Sequence, residues 1–386
     1  MNQEQLTQKF IAFYGPSDHP IERFYAPGRV NLIGDHTDYN GGLVFPCGVD
    51  RGTTLLIRES STQRIQMQSV NFEPSFDQAV EKVKGVHTKS WADYPIGVMN
   101  EFLSRGVDLT GLQLLFYGDL PAGSGLSSSA SIEVVTAFAL NQVLNANCDM
   151  IELVKLAQSA EKNYVGVACG IMDQFAVAMA KENHAIKLDC QSLEYRQVPL
   201  NLEHHEIVVT NSNKERELAG SAYNQRTKEC SLALRILQKD LKVANLAEVR
   251  IADFNRLAAT LDDVTLTKRA RHVITEHQRV IAGVEALHRG NLDEFGKLMY
   301  ASHKSLSDDY EVSTAELDHL VDKAVSQRGV LGSRLTGAGF GGCTVSLVEK
   351  RWVESFCNAI RTAYKSQFEI EPAFYITKVG AGVRRL

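Results

Sequence analysis

The chain has 386 residues, 44% of them apolar and 23% charged, with 28 Gly and only 9 Pro. That length exceeds what one hydrophobic core usually serves, so two domains are expected. A net charge of −5 speaks against a nucleic-acid footprint or an anionic membrane surface, and no apolar run approaches a membrane span. The seven cysteines are scattered and form no C-x-x-C pair, which suits a reducing compartment, and the eleven histidines show no metal-binding spacing. A cytoplasmic protein that handles small molecules, with neither nucleic acid nor membrane as partner, is the expectation.

In chain order, the polar stretch Met1–Phe10 reads as the start of an amphipathic helix, not a signal peptide. Residues 26–42 (APGRVNLIGDHTDYNGG) then pack one Arg, two carboxylates, one His, two Asn and four Gly into a short span. Val30, Leu32 and Ile33 mark part of this run as packed, so its polar groups sit on a fixed frame. Asp35, His36 and Asp38 resemble a hydroxyl-reading cluster, because carboxylates accept hydrogen bonds from sugar hydroxyls. Polar readout of this kind discriminates roughly 10⁴-fold when a partner hydroxyl is missing. Strands are expected at Leu43–Phe45, Thr53–Ile57 and Leu112–Tyr117.

The last of these leads into residues 123–130 (GSGLSSSA), followed by a helical pattern from about Ser127 to Leu144. Two glycines permit close backbone approach, and serines at a helix start meet free N–H groups and the positive dipole end, an arrangement that attracts phosphate. The P-loop spacing with its lysine occurs nowhere. A plain capped helix, with Ser127 or Ser128 accepting from first-turn amides, accounts for the serines equally well. Asp149 then caps a second helix, with Glu152 three residues on; this helix turns Ile151, Val154, Ala157 and Ala160 inward and delivers Glu161 near its end. Asp173 follows in the apolar, glycine-rich run 166–174 (GVACGIMDQ), where it reads either as a helix cap or as the group that orients or deprotonates an attacking hydroxyl.

Strands at Ala185–Asp189 and Ile207–Val209 precede a region, 216–310, dominated by helical periodicity, with Asn291 and Glu294 as a capping-box-like pair. The end reads as strand Cys343–Val348, helix Trp352–Tyr364 and strand Ala373–Ile376. Residues 334–343 (RLTGAGFGGC) match G-x-G-x-x-G, yet a strand follows, so the helix dipole of a dinucleotide site is missing. A glycine-rich turn that closes over or supports an active site fits better. The change of pattern places a domain boundary near residue 200, dividing the chain into 1–200 and 201–386.

Residues 26–42, 166–174 and 334–343, the first, second and third motifs, in this order and at these separations resemble the signature motifs of the GHMP kinase superfamily, and residues 28–40 resemble the sugar signature of its galactokinase branch. Residues 169–174, 211–213, 221–224 and Ser302-His303 with Asp309 agree with that branch, so the resemblance spans roughly residues 25–377. It implies an α+β, two-domain GHMP kinase fold, with an N-terminal ribosomal-protein-S5-domain-2-like mixed α/β domain and a C-terminal ferredoxin-like α+β domain around a cleft. It implies transfer of the γ-phosphoryl group of ATP to the anomeric hydroxyl of α-D-galactose. Arg29 and Asp173 would be catalytic, and Asp35, His36, Thr37, Asp38, Gly170 and Tyr223 would bind the sugar. Gly123, Ser124, Gly125, Leu126, Ser127, Ser128 and Ser129 would hold the ATP phosphates, with Ser69 near the adenine side. Ser129 and Glu161 would hold Mg²⁺, the implied cofactor. Galactose and ATP are the expected partners of a chain acting as a monomer. One residue departs from the family pattern: Asp35 stands where a Glu is usual, which shortens the reach of that carboxylate by one methylene. Other sugar-1-kinases with the same motifs, such as an N-acetylgalactosamine kinase, and a ligand-binding sensor are the alternatives, the second opposed by the intact Arg29, Asp173 and Ser129-Ala130.

Overall fold

The computed structural model describes residues 1–120, 125–167, 169–214 and 219–386; Gly123 and Ser124 of the serine loop lie outside them. Three sheets organise the described residues. The largest has six strands, ordered Arg384–Arg385, Glu22–Asn31, Pro46–Glu59, Leu112–Gly118, Arg64–Ser69 and Phe76–Ala79. All neighbours are antiparallel except Arg64–Ser69 against Leu112–Gly118.

The apolar run Leu112–Tyr117 is continuous because both faces of this sheet are covered. Successive side chains of a strand point to opposite faces. Leu55, Ile57, Leu114 and Phe116 therefore join the core under the helices Asp93–Ser104, Ser128–Val143, Met150–Ser159 and Met172–Met179. Leu56 and Leu115 pack instead on Leu6 and Phe10 of the amphipathic N-terminal helix Gln3–Tyr14. The helix after the serine loop is enclosed more fully than its periodicity suggests, with Val134, Val135, Ala137, Ala139 and Leu140 all buried.

The second sheet is ordered Val330–Thr336, Cys343–Glu349, His205–Asn211, Ala373–Thr377 and is antiparallel throughout. With the helices Ala315–Val325 and Val353–Phe368 on one face it has the β-α-β-β-α-β order of a ferredoxin-like fold. Its other face contributes Ile207, Val209, Val345 and Leu347 to a core shared with Phe295 and Met299 of the helix Leu292–Asp308 and with Val30, Leu32, Ile33 and Phe45 from the first motif and its flank. One apolar cluster thus joins the two halves. A small third sheet pairs Leu43–Val44, His184–Asp189 and Tyr195–Pro199.

Several expected elements differ in detail. The helix begun at Asp149 has its full capping box with Glu152, but it ends at Ser159 and passes into a wide π-helical segment, Ala160–Val165, that carries Glu161. Its inward face includes Leu153 and Leu156, whereas Ile151 is half-buried. Asn291 accepts from the Glu294 amide as a cap, but the Glu294 carboxylate turns to the Asn291 side chain and not to its backbone. No helix among the described residues is long and apolar enough to cross a membrane.

Phe295 is fully buried where the two halves share their core. Phe295→Ala is expected to destabilise the chain by about 3–5 kcal/mol in urea unfolding, the usual cost of an aromatic cavity. A loss below about 1 kcal/mol would mean that this junction can collapse around the gap.

Candidate active site

The first motif is the end of a strand and the loop beyond it. Register between Glu22–Asn31 and Pro46–Glu59 slips between Pro27 and Arg29, and such a bulge re-aims the side chain beyond it. Arg29, almost fully buried, turns to Asp173 in the first turn of the helix Met172–Met179. Its Nε donates to Asp173 Oδ1 and its Nη2 to Oδ2, both at 2.7 Å, a bidentate fork. Its third arm, Nη1, donates to the Gly125 carbonyl at 2.6 Å. One guanidinium thus ties together the first motif, the second motif and the serine loop.

That loop lies directly on the strand. A Cβ at Gly28 would come within 2.6 Å of the Leu126 carbonyl oxygen, and the Arg29 amide donates to that same oxygen at 3.0 Å. Leu126 is a backbone contact with a core side chain. Ser127 has a left-handed backbone and makes no side-chain cap bond; its hydroxyl donates to Asp173 Oδ2 at 2.6 Å. The capped-helix account of this serine therefore fails. Ser128 and Ser129 face the same cavity of about 390 Å³ as Arg29, Asp173, Asp35, His36, Asp38, Gly170 and Tyr223.

Ser129 hydrogen-bonds to the Glu161 carboxylate, whose pKa is raised by burial and by nearby Asp173. Gln174 Nε2 donates to Glu161 Oε2 at 2.6 Å and to Glu133 Oε2 at 3.0 Å. Burial holds the Glu133 carboxyl well above the usual carboxylate range.

In the loop after the strand, Asp35 is buried and held on every side. Asn31 Nδ2 donates to its Oδ1 at 2.7 Å, and Arg334 and the Gly337 amide donate to Oδ2. Burial raises its pKa against the opposing pull of Arg334 and Asn31. Asp38 forms no ion pair among the described residues, and burial and the charge of Asp173 push its carboxyl up to about 7. Gly170 allows that position, since a Cβ there would overlap the Asp38 carboxylate.

His36 is neutral, its pKa pushed down to about 3 by burial. Its Nε2 faces the Ala338 carbonyl at 3.2 Å, which can only accept, so Nε2 carries the proton. Nδ1 then accepts from the Tyr39 hydroxyl at 2.8 Å, Tyr39 from Tyr310 at 2.7 Å, and Tyr310 from the Cys230 thiol at 3.1 Å. Both ring nitrogens are therefore committed within the protein. Tyr223 packs against the ring, with centroids 5.6 Å apart.

Thr37 spends its hydroxyl on the Gly34 and Leu43 carbonyls and does not line the cavity. Nor does Ser69, whose Oγ accepts from the Asn71 and Phe72 amides at the end of its strand. Sequence reasoning missed Arg334, Asn31, Glu133, Gln174, Tyr39 and Tyr310. Arg334 had a readable signal, since a cation inside an apolar strand pattern needs a carboxylate partner.

Below its ordinary value of 3.8 Asp38 is neutral folded and unfolded alike, and the stability present there is lost as pH rises through about 7. Asp38→Asn is expected to raise Tm by roughly 2–5 °C at pH 8, with the gain shrinking toward pH 4. Calorimetry across that range checks it, and a pH-independent gain would contradict burial of the charge.

The sequence matches the family models described as GHMP kinases N terminal domain (residues 93–181), galactokinase galactose-binding signature (8–59) and GHMP kinases C terminal (284–366). It is 45% identical to a galactokinase of Clostridium acetobutylicum, covering 99% of this chain and 98% of that one. A galactokinase of Bacillus subtilis is 42% identical, with 99% of each covered. Among solved structures, Lactococcus lactis galactokinase complexed with galactose superposes with a TM-score of 0.96 at 40% identity, covering 99% of both chains. Methanococcus jannaschii mevalonate kinase shares the fold, with a TM-score of 0.67 at 20% identity over 94% of this chain and 99% of that one.

Proposed function

Since this chain belongs to the galactokinase family of the GHMP kinases, and its reaction is phosphoryl transfer from ATP to galactose, we propose that Asp173 accepts the proton of the anomeric hydroxyl. The observation that carries this is the carboxylate's position: forked by Arg29, bonded by Ser127 and open to the cavity. Both oxygens face donors: Arg29 Nε and Nη2 lie 2.7 and 2.6 Å from Oδ1, and Arg29 Nη2 and the Ser127 hydroxyl lie 2.7 and 2.6 Å from Oδ2. The sugar oxygen bonds to the γ-phosphorus, the bond to the β–γ bridging oxygen breaks with its electron pair leaving on ADP, and the hydroxyl proton passes to Asp173. A loose transition state needs an acceptor in the right place more than a strong base. Arg29 lies where it offsets charge developing on the transferred group.

Asp35, His36, Asp38, Gly170 and Tyr223 make the sugar wall in this reading. Asp38 supplies open acceptor positions, His36 and Tyr223 supply ring surface, and Gly170 supplies room. Gly125, Ser127, Ser128 and Ser129 take the phosphate end, at the start of the helix Ser128–Val143. Thr37 shapes the loop without touching substrate. Residues 1–200 and 201–386 form the two domains, with the strand Arg384–Arg385 returning to the first sheet.

The acidic end of the cavity fits a magnesium ion. Glu161 and Asp173 line the cavity with Glu133 close to both, and Glu133 Oε1 and Gln174 Oε1 are buried without hydrogen-bond partners among the described residues. Hard oxygen donors in an acid-rich pocket, few enough to leave places for phosphate oxygens, suit Mg²⁺. Ser129 and Glu161 would hold it, and when bound it would neutralise phosphate charge.

Asp173→Asn is expected to lower kcat by at least about 10³-fold while leaving ATP binding intact by titration calorimetry. Near-normal turnover would refute the acceptor assignment. Ser127→Ala, which frees a lone pair of Oδ2, is expected to cost about tenfold in kcat. A sugar panel read by ADP release and product analysis tests the substrate: phosphorylation of N-acetylgalactosamine in preference to galactose would overturn it.

A further inference from the structure

The loop that presents Asp35, His36 and Asp38 has an unusual backbone: φ is 102° at Gly34 and 62° at His36. Such a path outside any sheet needs something to hold it. The helix Val264–His288 lies behind the loop and turns His272, Glu276 and Val280 toward it, spaced four residues apart on one face. Glu276 Oε1 accepts from the Gly34 amide at 2.8 Å, and His272 Nε2 donates to the Asp35 carbonyl at 3.1 Å. Val280 closes the third side, since a Cβ at Gly34 would lie 2.9 Å from its methyl.

The next helix, Leu292–Asp308, braces both polar groups. Ser302 donates to Glu276 Oε1, and Ser305 donates to His272 Nδ1 at 2.9 Å. Arg279 takes the other Glu276 oxygen. His272, Glu276 and Ser302 are fully buried, and neither His272 nor Glu276 lines the cavity. If this face served packing alone, apolar residues would do it without the cost of burying a charge. A donor and an acceptor aimed at the carbonyl and amide of adjacent residues have a geometric use.

We infer that His272 and Glu276 are positioning residues for sugar recognition, a clamp from the C-terminal half that sets the main chain of Gly34–Asp35 and through it the carboxylates facing the sugar. Asp35 has a short side chain, so its oxygens follow its main chain closely, and Asp38 hangs from the same loop. The clamp gives Ser302 its role as the brace of Glu276. The inference rests on the assignment of the loop carboxylates to the sugar.

The test compares substrate constants in the full-length enzyme. Glu276→Ala is expected to raise the galactose KM about tenfold while the ATP KM stays within about twofold. Glu276→Gln, whose amide oxygen can still accept from Gly34, is expected to restore most of that loss. Phe356→Ala, which opens a cavity in the core on the other face of the second sheet, is expected to lower Tm but not to raise the galactose KM. An unchanged galactose KM in Glu276→Ala, or equal rises in both constants, overturns the clamp. Should Glu276→Ala fail to fold, the Ser302→Ala/Ser305→Ala double variant decides. It is expected to raise the galactose KM about threefold, and no rise overturns the inference. Asp38→Asn run alongside separates the premise: a wild-type galactose KM there removes the sugar assignment and the clamp with it, whereas a raised one beside an unchanged Glu276→Ala removes the clamp alone.

Discussion

A fork of two hydrogen bonds between Arg29 and Asp173 holds the site together. Its partners are 144 residues apart in sequence, one on a strand of the large sheet and one on a short helix, and the arginine's remaining arm reaches the serine loop. A planar guanidinium fixes direction as well as charge, which a lysine would not do. The strand bulge, the glycine that lets the serine loop lie on the strand and the turn that starts the helix are each needed for those bonds to form. Positioning is most of what phosphoryl transfer asks of a protein.

Charge in the cavity is unevenly compensated, and the imbalance is informative. Asp35 and Asp173 each pair with an arginine, whereas Asp38, Glu133 and Glu161 form no ion pair among the described residues; burial raises the pKa of these three and of Asp35 as well. Buried carboxylates without cations cost stability and persist where something else supplies the missing partner. At Asp38 that partner is read as sugar hydroxyls, and at Glu161 as a divalent ion. Both regions lie close enough to Asp173 for its charge to raise the pKa of Asp38 and of Glu161.

Much of this was legible in the chain. Local signals sufficed for the N-terminal helix, the Asp149 cap, the strand Leu112–Gly118 and the strand after the third glycine motif, because periodicity and capping act over a few residues. The first motif looked like a loop with packed residues; that it ends a ten-residue strand depends on pairing with Pro46–Glu59, which its own composition does not encode. Ser127 read as a cap or a phosphate ligand, and its bond to Asp173 stems from a left-handed backbone that no local pattern announces. His36 read as a sugar ligand, yet the Tyr39–Tyr310–Cys230 chain that occupies one of its nitrogens draws on residues as far apart as 39 and 310. Long-range polar partners of this kind are set by topology, and topology came from family likeness, not from spacing.

The wide turn Ala160–Val165 has a consequence for the tolerance of the chain to change. In it the Gly166 amide reaches back five residues to the Glu161 carbonyl, so the segment holds one residue more than an ordinary helix would fit in the same length. Removing one codon there would leave a good helix and every site residue in the sequence. It would also turn the point at which the chain leaves the helix, at Gly166, by about 100° around the helix axis, since each residue advances an α-helix by that angle. The chain would then set out toward Gly170 and Asp173 in a different direction from Glu161. The number of residues between these groups is thus part of the site, and an alignment that scores identities alone would pass such a chain as intact.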